Sequence, residues 1–197
     1  MKRYTLTILT LLLLLSFSSY AQTGKKKKRL DIEQLTYFEP VFFHINQNEQ
    51  KSIYLKFEKD SKVSLDSLFD KRSKKYRIKE KYNTADLNSA IENEIKYLFE
   101  EGANNFKNIK IPDSIKALNK NTNTQYGIFL LINTTSTGYP EINDIIKIQV
   151  EAIILDLFKN NIVFYQRSKD LSPIYNQGNK ATLLKDLNYI YRRIKKL

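Results

Sequence analysis

The chain has no cysteine, one histidine and only five glycines. Without cysteine it forms no disulfide, and no lipid can be attached to a cysteine behind a signal sequence. One histidine, His44, excludes a histidine-rich metal site and a histidine–cysteine pair. The glycines lack the GxGxxG and GxxxxGK spacings of phosphate-binding loops. We therefore expect no metal, no cofactor and no catalytic residues of a common type.

The first 21 residues have the three parts of a secretory signal peptide in the usual order. Two basic residues precede an apolar stretch from Leu6 to Leu15, and small or polar residues follow up to Ala21. This stretch is shorter than the ~20 apolar residues that a membrane-spanning helix needs. We expect cleavage before Gln22 and a periplasmic or secreted protein. A retained anchor is the alternative, because the basic run Lys25–Arg29 resists translocation.

The length and composition after the signal peptide predict one basic domain. Residues 22–40 contain the basic run and are expected to be a disordered leader, and residues 41–197 to be a single domain. The formal charge of the whole chain is +12, and its 42% hydrophobic content indicates a globular rather than a disordered protein.

A second basic block runs from Lys71 to Lys81 and includes Lys74, Lys75 and Arg77. Tyr76 and Tyr82, which rim this block, could stack on single-stranded nucleic acid. Export argues against nucleic acid as the partner and favours anionic glycan or lipid headgroups. The competing interpretation is an ordinary solvated surface of a lysine-rich chain.

The hydrophobic pattern predicts a mixed sheet with two or three helices packed on it, an α/β (α+β) fold. Helical spacing follows Thr84 and Asp86 as far as a stop at Gly102, and it returns from Asn179 to the C-terminus. A short helix is expected from Pro112 to Asn119. The predicted strands are Tyr126–Ile132, Ile146–Ile154 and Ile162–Tyr165, the last two paired through a turn at Lys159–Asn161, with weaker candidates at Ser52–Phe57 and Asn108–Ile111.

Four segments resemble a small periplasmic α/β module. That module occurs in the periplasmic part of the curli secretion channel, in outer-membrane activators of penicillin-binding proteins, and in the N-terminal domain of the Tol-system propeller protein. The matching segments are IYLKF at Ile53, DLNSAIENEIKYLFEEGA at Asp86, QYGIFLLINTTS at Gln125 and VEAIILDLFKNNIVFYQR at Val150.

Asp156 occupies the position of the aspartate that ends the long strand in this family. The chain departs from the family at Asn160-Asn161, where Thr-Gly is usual, and it lacks the lipid-bearing cysteine of many members. The resemblance implies an accessory protein that acts by binding other envelope proteins or by self-association, without catalysis.

Two functions follow from the sequence. The first is an exported, non-enzymatic envelope accessory or binding protein that acts through protein–protein contacts. Its expected contact residues are aromatic or basic: Tyr139, Tyr165, Arg167, Lys74, Lys75 and Arg77. The alternative is a hydrolase of cell-wall glycan with paired carboxylates, drawn from Glu141, Asp144, Glu151 and Asp156. We expect His44, within the apolar run VFFHI, to be a partly buried strand residue rather than a catalytic one.

Overall fold

The computed structural model describes residues 32–45, 51–82, 89–105, 108–136, 145–169 and 178–197. The signal sequence, the run Lys25–Arg29, and Thr84, Asp86, Tyr139, Glu141 and Asp144 lie outside these residues. The described strands are β1 (Leu35–Phe38), β2 (Val41–Ile45), β3 (Ile78–Tyr82), β4 (Tyr126–Ser136), β5 (Ile145–Asp156) and β6 (Asn161–Arg167). The described helices are α1 (Lys51–Lys71), α2 (Ser73–Tyr76), α3 (Ser89–Asn105), α4 (Asp113–Ala117), continued by a 3-10 turn, and α5 (Gly178–Ile194).

The six described strands form one mixed sheet in the order β3-β1-β4-β5-β6, with β2 beside the second half of β4. Strands β1 and β2 both run parallel to β4, one after the other along its length. Strands β4, β5 and β6 pair antiparallel. The predicted fold class is therefore confirmed, as are the two long strands and the hairpin that joins β5 to β6.

Helices cover both faces of the sheet. Two neighbouring residues of β1 show this, because successive residues of a strand point to opposite faces. Tyr37 of β1 contacts Phe69 of α1 with 4.4 Å between ring centroids, and Phe69 contacts Tyr191 of α5. Its neighbour Phe38 stacks on Phe129 of β4 at 4.3 Å and shares a core with α3 and α4. We call the side of Tyr37, under α1 and α5, the first face, and the side of Phe38, under α3 and α4, the second face.

Coverage on both sides explains the continuous apolar run of β4. Every residue from Ile128 to Ile132 is buried, as expected for a strand in the middle of a layered fold.

The structure corrects the end of the leader expected at residues 22–40, of which residues 22–31 lie outside the described residues. Strand β1 lies between β3 and β4 with all four of its residues buried, so residues 35–38 belong to the sheet. The polar Thr36 obscured this strand in the sequence. Its hydroxyl lies within hydrogen-bond distance of Glu80 and Thr124, and these bonds allow a polar residue to be buried in an inner strand.

The two weaker strand predictions are wrong. Ser52–Phe57 belongs to α1, where Tyr54 and Phe57 are buried while Leu55 between them is exposed. The alternation of Ile53, Leu55 and Phe57 imitated a strand, although the burial follows helical spacing.

Asn108–Ile111 also lies outside the sheet. Ile111 is buried in the core of the second face without belonging to a strand. Gly102 does not end α3, which continues to Asn105, because a helix interior tolerates glycine at a modest cost.

Two glycines offer a matched test of the packing on the second face. A Cβ atom added to Gly127 would lie 2.6 Å from the Phe38 ring, which is stacked against Phe129. We expect Gly127→Ala to lower the free energy of unfolding by about 1–3 kcal/mol through overpacking. At Gly102 the nearest atom is 3.5 Å away, so Gly102→Ala should be neutral or stabilise α3 by up to about 1 kcal/mol. Denaturant unfolding measures both, and equal losses would contradict this packing.

Candidate functional site

A cleft of about 360 Å³ opens on the second face of the sheet beside α3. Strands β2, β4, β5 and β6 form its floor, and α3 forms its wall. The lining residues are Phe43, Ile45, Leu131, Asn133, Thr135, Lys147, Gln149, Glu151 and Arg167 from the sheet, and Lys96, Phe99 and Glu100 from α3.

The cleft begins where the second face changes from apolar to polar. Along β4, Phe129 and Leu131 are followed on the same face by Asn133 and Thr135. Strand β5 runs the other way and mirrors the change, since Ile153 is buried in the core while Lys147 is exposed. The apolar half of this face lies under α3 and α4, and the polar half lines the cleft.

The carboxylate of Glu151 is the buried polar centre of the site, with only 2% of the residue exposed. Its Oε1 accepts hydrogen bonds from Asn133 Nδ2 at 2.8 Å and Arg167 Nη2 at 3.0 Å, and its Oε2 accepts one from the Tyr165 hydroxyl at 2.5 Å. A buried carboxylate without such donors would be costly. These three hydrogen bonds, one of them from a cation, offset the free-energy cost of removing the carboxylate from water.

Strand register brings these side chains together. Arg167 lies directly opposite Glu151 on β6, and Tyr165 is two residues away on the same face. On the other side, Leu131 of β4 pairs with Glu151, so Asn133 is a diagonal neighbour. Such pairs are within reach of long side chains.

Glu151 orients Arg167 and leaves part of it open to solvent. The side chain of Arg167 is 49% exposed, whereas that of Glu151 is 3% exposed. Burial disfavours the charged guanidinium, but the hydrogen bond and the negative charge of Glu151 outweigh this and raise the pKa of Arg167. A guanidinium has five N–H donors, and its exposed part lines the cleft.

Tyr165 acts as a donor in this arrangement. Burial, and then the hydrogen bond and charge of Glu151, raise the pKa of its phenol well above the ordinary value. The hydroxyl therefore stays protonated at neutral pH and holds Glu151 from the other side.

An apolar rim completes the cleft. Phe43 and Ile45 project from β2 and are 47% and 46% exposed. Lys96 and Lys147 line the same cleft. Exposed apolar groups beside cations suit a ligand that carries an apolar side chain next to an acidic group.

The predicted contact residues separate into two groups. Tyr165 and Arg167 meet at Glu151, as described above. Lys74 and Lys75 lie in α2, away from the cleft, and Arg77 follows α2 with a φ of 57°, where its Nη1 donates to the carbonyl of Ile32.

The carboxylates proposed for hydrolysis do not converge among the described residues. Glu151 points to the second face, whereas Asp156 points the other way and lies at the far end of β5. Asp156 accepts hydrogen bonds from the backbone N–H groups of Phe158 and Lys159 and from the side chain of Gln125. It therefore stabilises the turn before β6.

His44 lies on the first face, away from the cleft. Its ring stacks on Tyr54 at 4.2 Å, with Nδ1 2.5 Å from Thr134 Oγ1 and Nε2 2.6 Å from Glu58 Oε1. The histidine is buried in the sheet, as expected, and links β2 to β4 and α1.

Asn133, Phe43, Lys96 and Lys147 were not predicted as site residues. The available signal was the change from apolar to polar residues within INTTS, which marks the uncovered end of an otherwise buried strand. Across the described ranges, no cluster of three or more acidic, histidine or cysteine side chains could hold a metal ion. No helix in that part of the chain is long and apolar enough to span a membrane.

No protein-family model matches this chain, and no curated protein has a significantly similar sequence. Two solved structures share its general arrangement at low similarity. The lipoprotein GNA1162 from Neisseria meningitidis is 9% identical with a TM-score of 0.40, and the match covers 83% of this chain and 96% of that one. A neuraminyllactose-binding hemagglutinin homolog from Helicobacter pylori is 12% identical with a TM-score of 0.36, covering 83% of this chain and 80% of that one. Similarity this distant carries no functional information.

A double-mutant cycle tests the pairing of Glu151 with Arg167. Arg167→Ala leaves the buried carboxylate with two neutral donors, so we expect it to lower the free energy of unfolding by about 1–3 kcal/mol. In a Glu151→Gln background the same change should cost less than about 0.5 kcal/mol, because no buried charge is left unpaired. Denaturant unfolding of the four proteins gives the coupling, with exposed Arg193→Ala as the control. Additive effects would contradict the pairing.

Proposed function

We propose that this chain is an exported, non-enzymatic binding protein of the cell envelope, and that its cleft holds an acidic, partly apolar segment of a protein partner. The observation that carries the proposal is Arg167, which is fixed by buried Glu151 and half exposed beside Phe43 and Ile45.

A prearranged arginine favours recognition of a carboxylate. Its planar guanidinium can bind a carboxylate through two parallel hydrogen bonds. Because Glu151 already restricts Arg167, less conformational entropy is lost when a partner binds. Arginine and aromatic residues are also the side chains that most often dominate protein interfaces.

The charges of the cleft support an acidic ligand. The charge of Arg167 is balanced by Glu151, which leaves Lys96 and Lys147 against Glu100. The excess is positive, and the long lysine side chains attract an acidic segment as it approaches.

Hydrolysis of glycan remains the second candidate because Glu100 and Glu151 line the same cleft. A glycosidase needs two carboxylates about 5–10 Å apart, one of which attacks or activates water. Both oxygens of Glu151 are already hydrogen-bonded within the protein. This engagement favours a structural role for Glu151 and therefore supports binding.

Export is part of the proposal and is supported by the three-part segment before Gln22. Action through contacts with envelope proteins agrees with the resemblance to the curli, penicillin-binding-protein activator and Tol modules.

Two exposed phenylalanines allow a matched crosslinking test in the native envelope. Phe43 lines the cleft, whereas Phe158 is 61% exposed in the turn between β5 and β6, at the opposite end of β5. A photoreactive residue at position 43 should form a discrete protein adduct that is absent when it stands at position 158. The adduct should fall at least about tenfold with Arg167→Ala and persist with Lys120→Ala, a charge removed from an exposed position outside the cleft.

Two outcomes would overturn this function. One is equal adducts from both positions, or an adduct that is insensitive to Arg167→Ala. The other is turnover of cell-wall glycan by the purified protein that disappears with Glu151→Gln.

The protein recovered from the envelope should begin at Gln22, and an intact Met1 would contradict cleavage.

A further inference from the structure

Two basic segments that are far apart in the sequence meet on the helices of the first face. One consists of Lys71, Arg72, Lys74 and Lys75, at the end of α1 and in α2. The other consists of Arg192, Arg193, Lys195 and Lys196, at the end of α5. All eight side chains are exposed. We call them together the basic surface.

Direct contacts between α2 and α5 hold the two segments together. The Tyr76 ring lies 4.4 Å from the Tyr191 ring, and its hydroxyl donates to Asn188 Oδ1 at 2.9 Å. Lys75 Nζ donates to the same oxygen at 3.3 Å. Arg192 and Lys195 follow Asn188 by four and seven positions, so they lie one and two turns further along the same side of the helix that Lys75 contacts.

The charges of the basic surface are not neutralised by neighbouring acids. None of its eight side chains takes part in the ion pairs found among the described residues. Asp70, the adjacent acid in the sequence, lies 2.7 Å from Lys81 Nζ instead. Such a concentration of like charge repels itself and favours binding to an anionic surface.

The burial of the tyrosines decides between classes of anionic partner. Stacking on single-stranded nucleic acid needs exposed aromatic rings among the cations. Tyr76 and Tyr191 are 1% and 4% exposed and form the packed joint beneath the basic surface. Half-buried Tyr189 lies beside this surface, and the Arg193 guanidinium covers its ring at 5.5 Å from the centroid. What remains is an array of long cationic side chains without an open pair of aromatic rings for stacking, which suits the headgroups of an anionic bilayer.

We infer that the basic surface docks this protein on a bilayer that carries anionic phospholipid headgroups. Lysine and arginine side chains near such a surface are attracted by its negative potential. The basic surface belongs to the helices of the first face, whereas the cleft opens on the second face. Docking therefore leaves the cleft open to a partner. The inference stands independently of what the cleft binds.

Vesicle sedimentation with matched charge variants tests the inference. The first variant replaces Lys74, Lys75, Arg192 and Lys195 with glutamine. The control replaces four exposed lysines elsewhere, Lys110, Lys120, Lys169 and Lys180, and so removes the same charge. The mature protein is mixed with phosphatidylcholine vesicles, with and without phosphatidylglycerol, at low and at high salt.

We expect binding only to the vesicles that contain phosphatidylglycerol, and weaker binding at high salt. The first variant should bind at least about tenfold more weakly than the control variant. Equal loss in both variants would show that net charge alone acts, and no loss in either would assign binding to other cations such as Lys25–Arg29. Either result overturns the inference, as does binding to an anionic glycan or nucleic acid without binding to these vesicles.

Discussion

The buried carboxylate of Glu151 is the constraint on which the cleft depends. It can be buried only because Arg167, Tyr165 and Asn133 reach it from both neighbouring strands. That convergence requires one irregularity, a bulge in the pairing of β5 with β6 between Ile154 and Leu155. Without the extra residue, every side chain beyond it on β6 would point to the other face, and neither Tyr165 nor Arg167 would meet Glu151.

The two faces of the sheet differ in how much of their surface the helices cover. On the first face, α1 and α5 pack over an aromatic core that includes Tyr37, Phe69 and Tyr191. On the second face, α3 and α4 cover the apolar half and leave the polar half exposed as the cleft. On β4 the change from apolar Leu131 to polar Asn133 marks the boundary between these two halves.

Much of the fold could be predicted from the sequence, because the long elements have strong periodicity. The apolar run of β4, the alternation in β5 and the stripe of α5 each follow from burial on defined faces. Strand β1 was missed because it is four residues long and contains Thr36, whose polarity is compensated by side chains distant in the sequence. Ser52–Phe57 was misassigned because six residues fit both a strand and a helix.

The site could be predicted only in part. Tyr165 and Arg167 were identified as aromatic and basic residues, but Glu151 was considered as a catalytic carboxylate because its partners depend on strand register.

The central claim is that Glu151 fixes Arg167 before any partner binds. Nitrogen NMR of the Arg167 guanidinium in the isolated protein tests it most directly. The account predicts separate Nη–H signals in the unmodified protein, because rotation of the guanidinium is restricted. In Glu151→Gln these signals should merge into an average. Averaged signals in the unmodified protein would contradict the account.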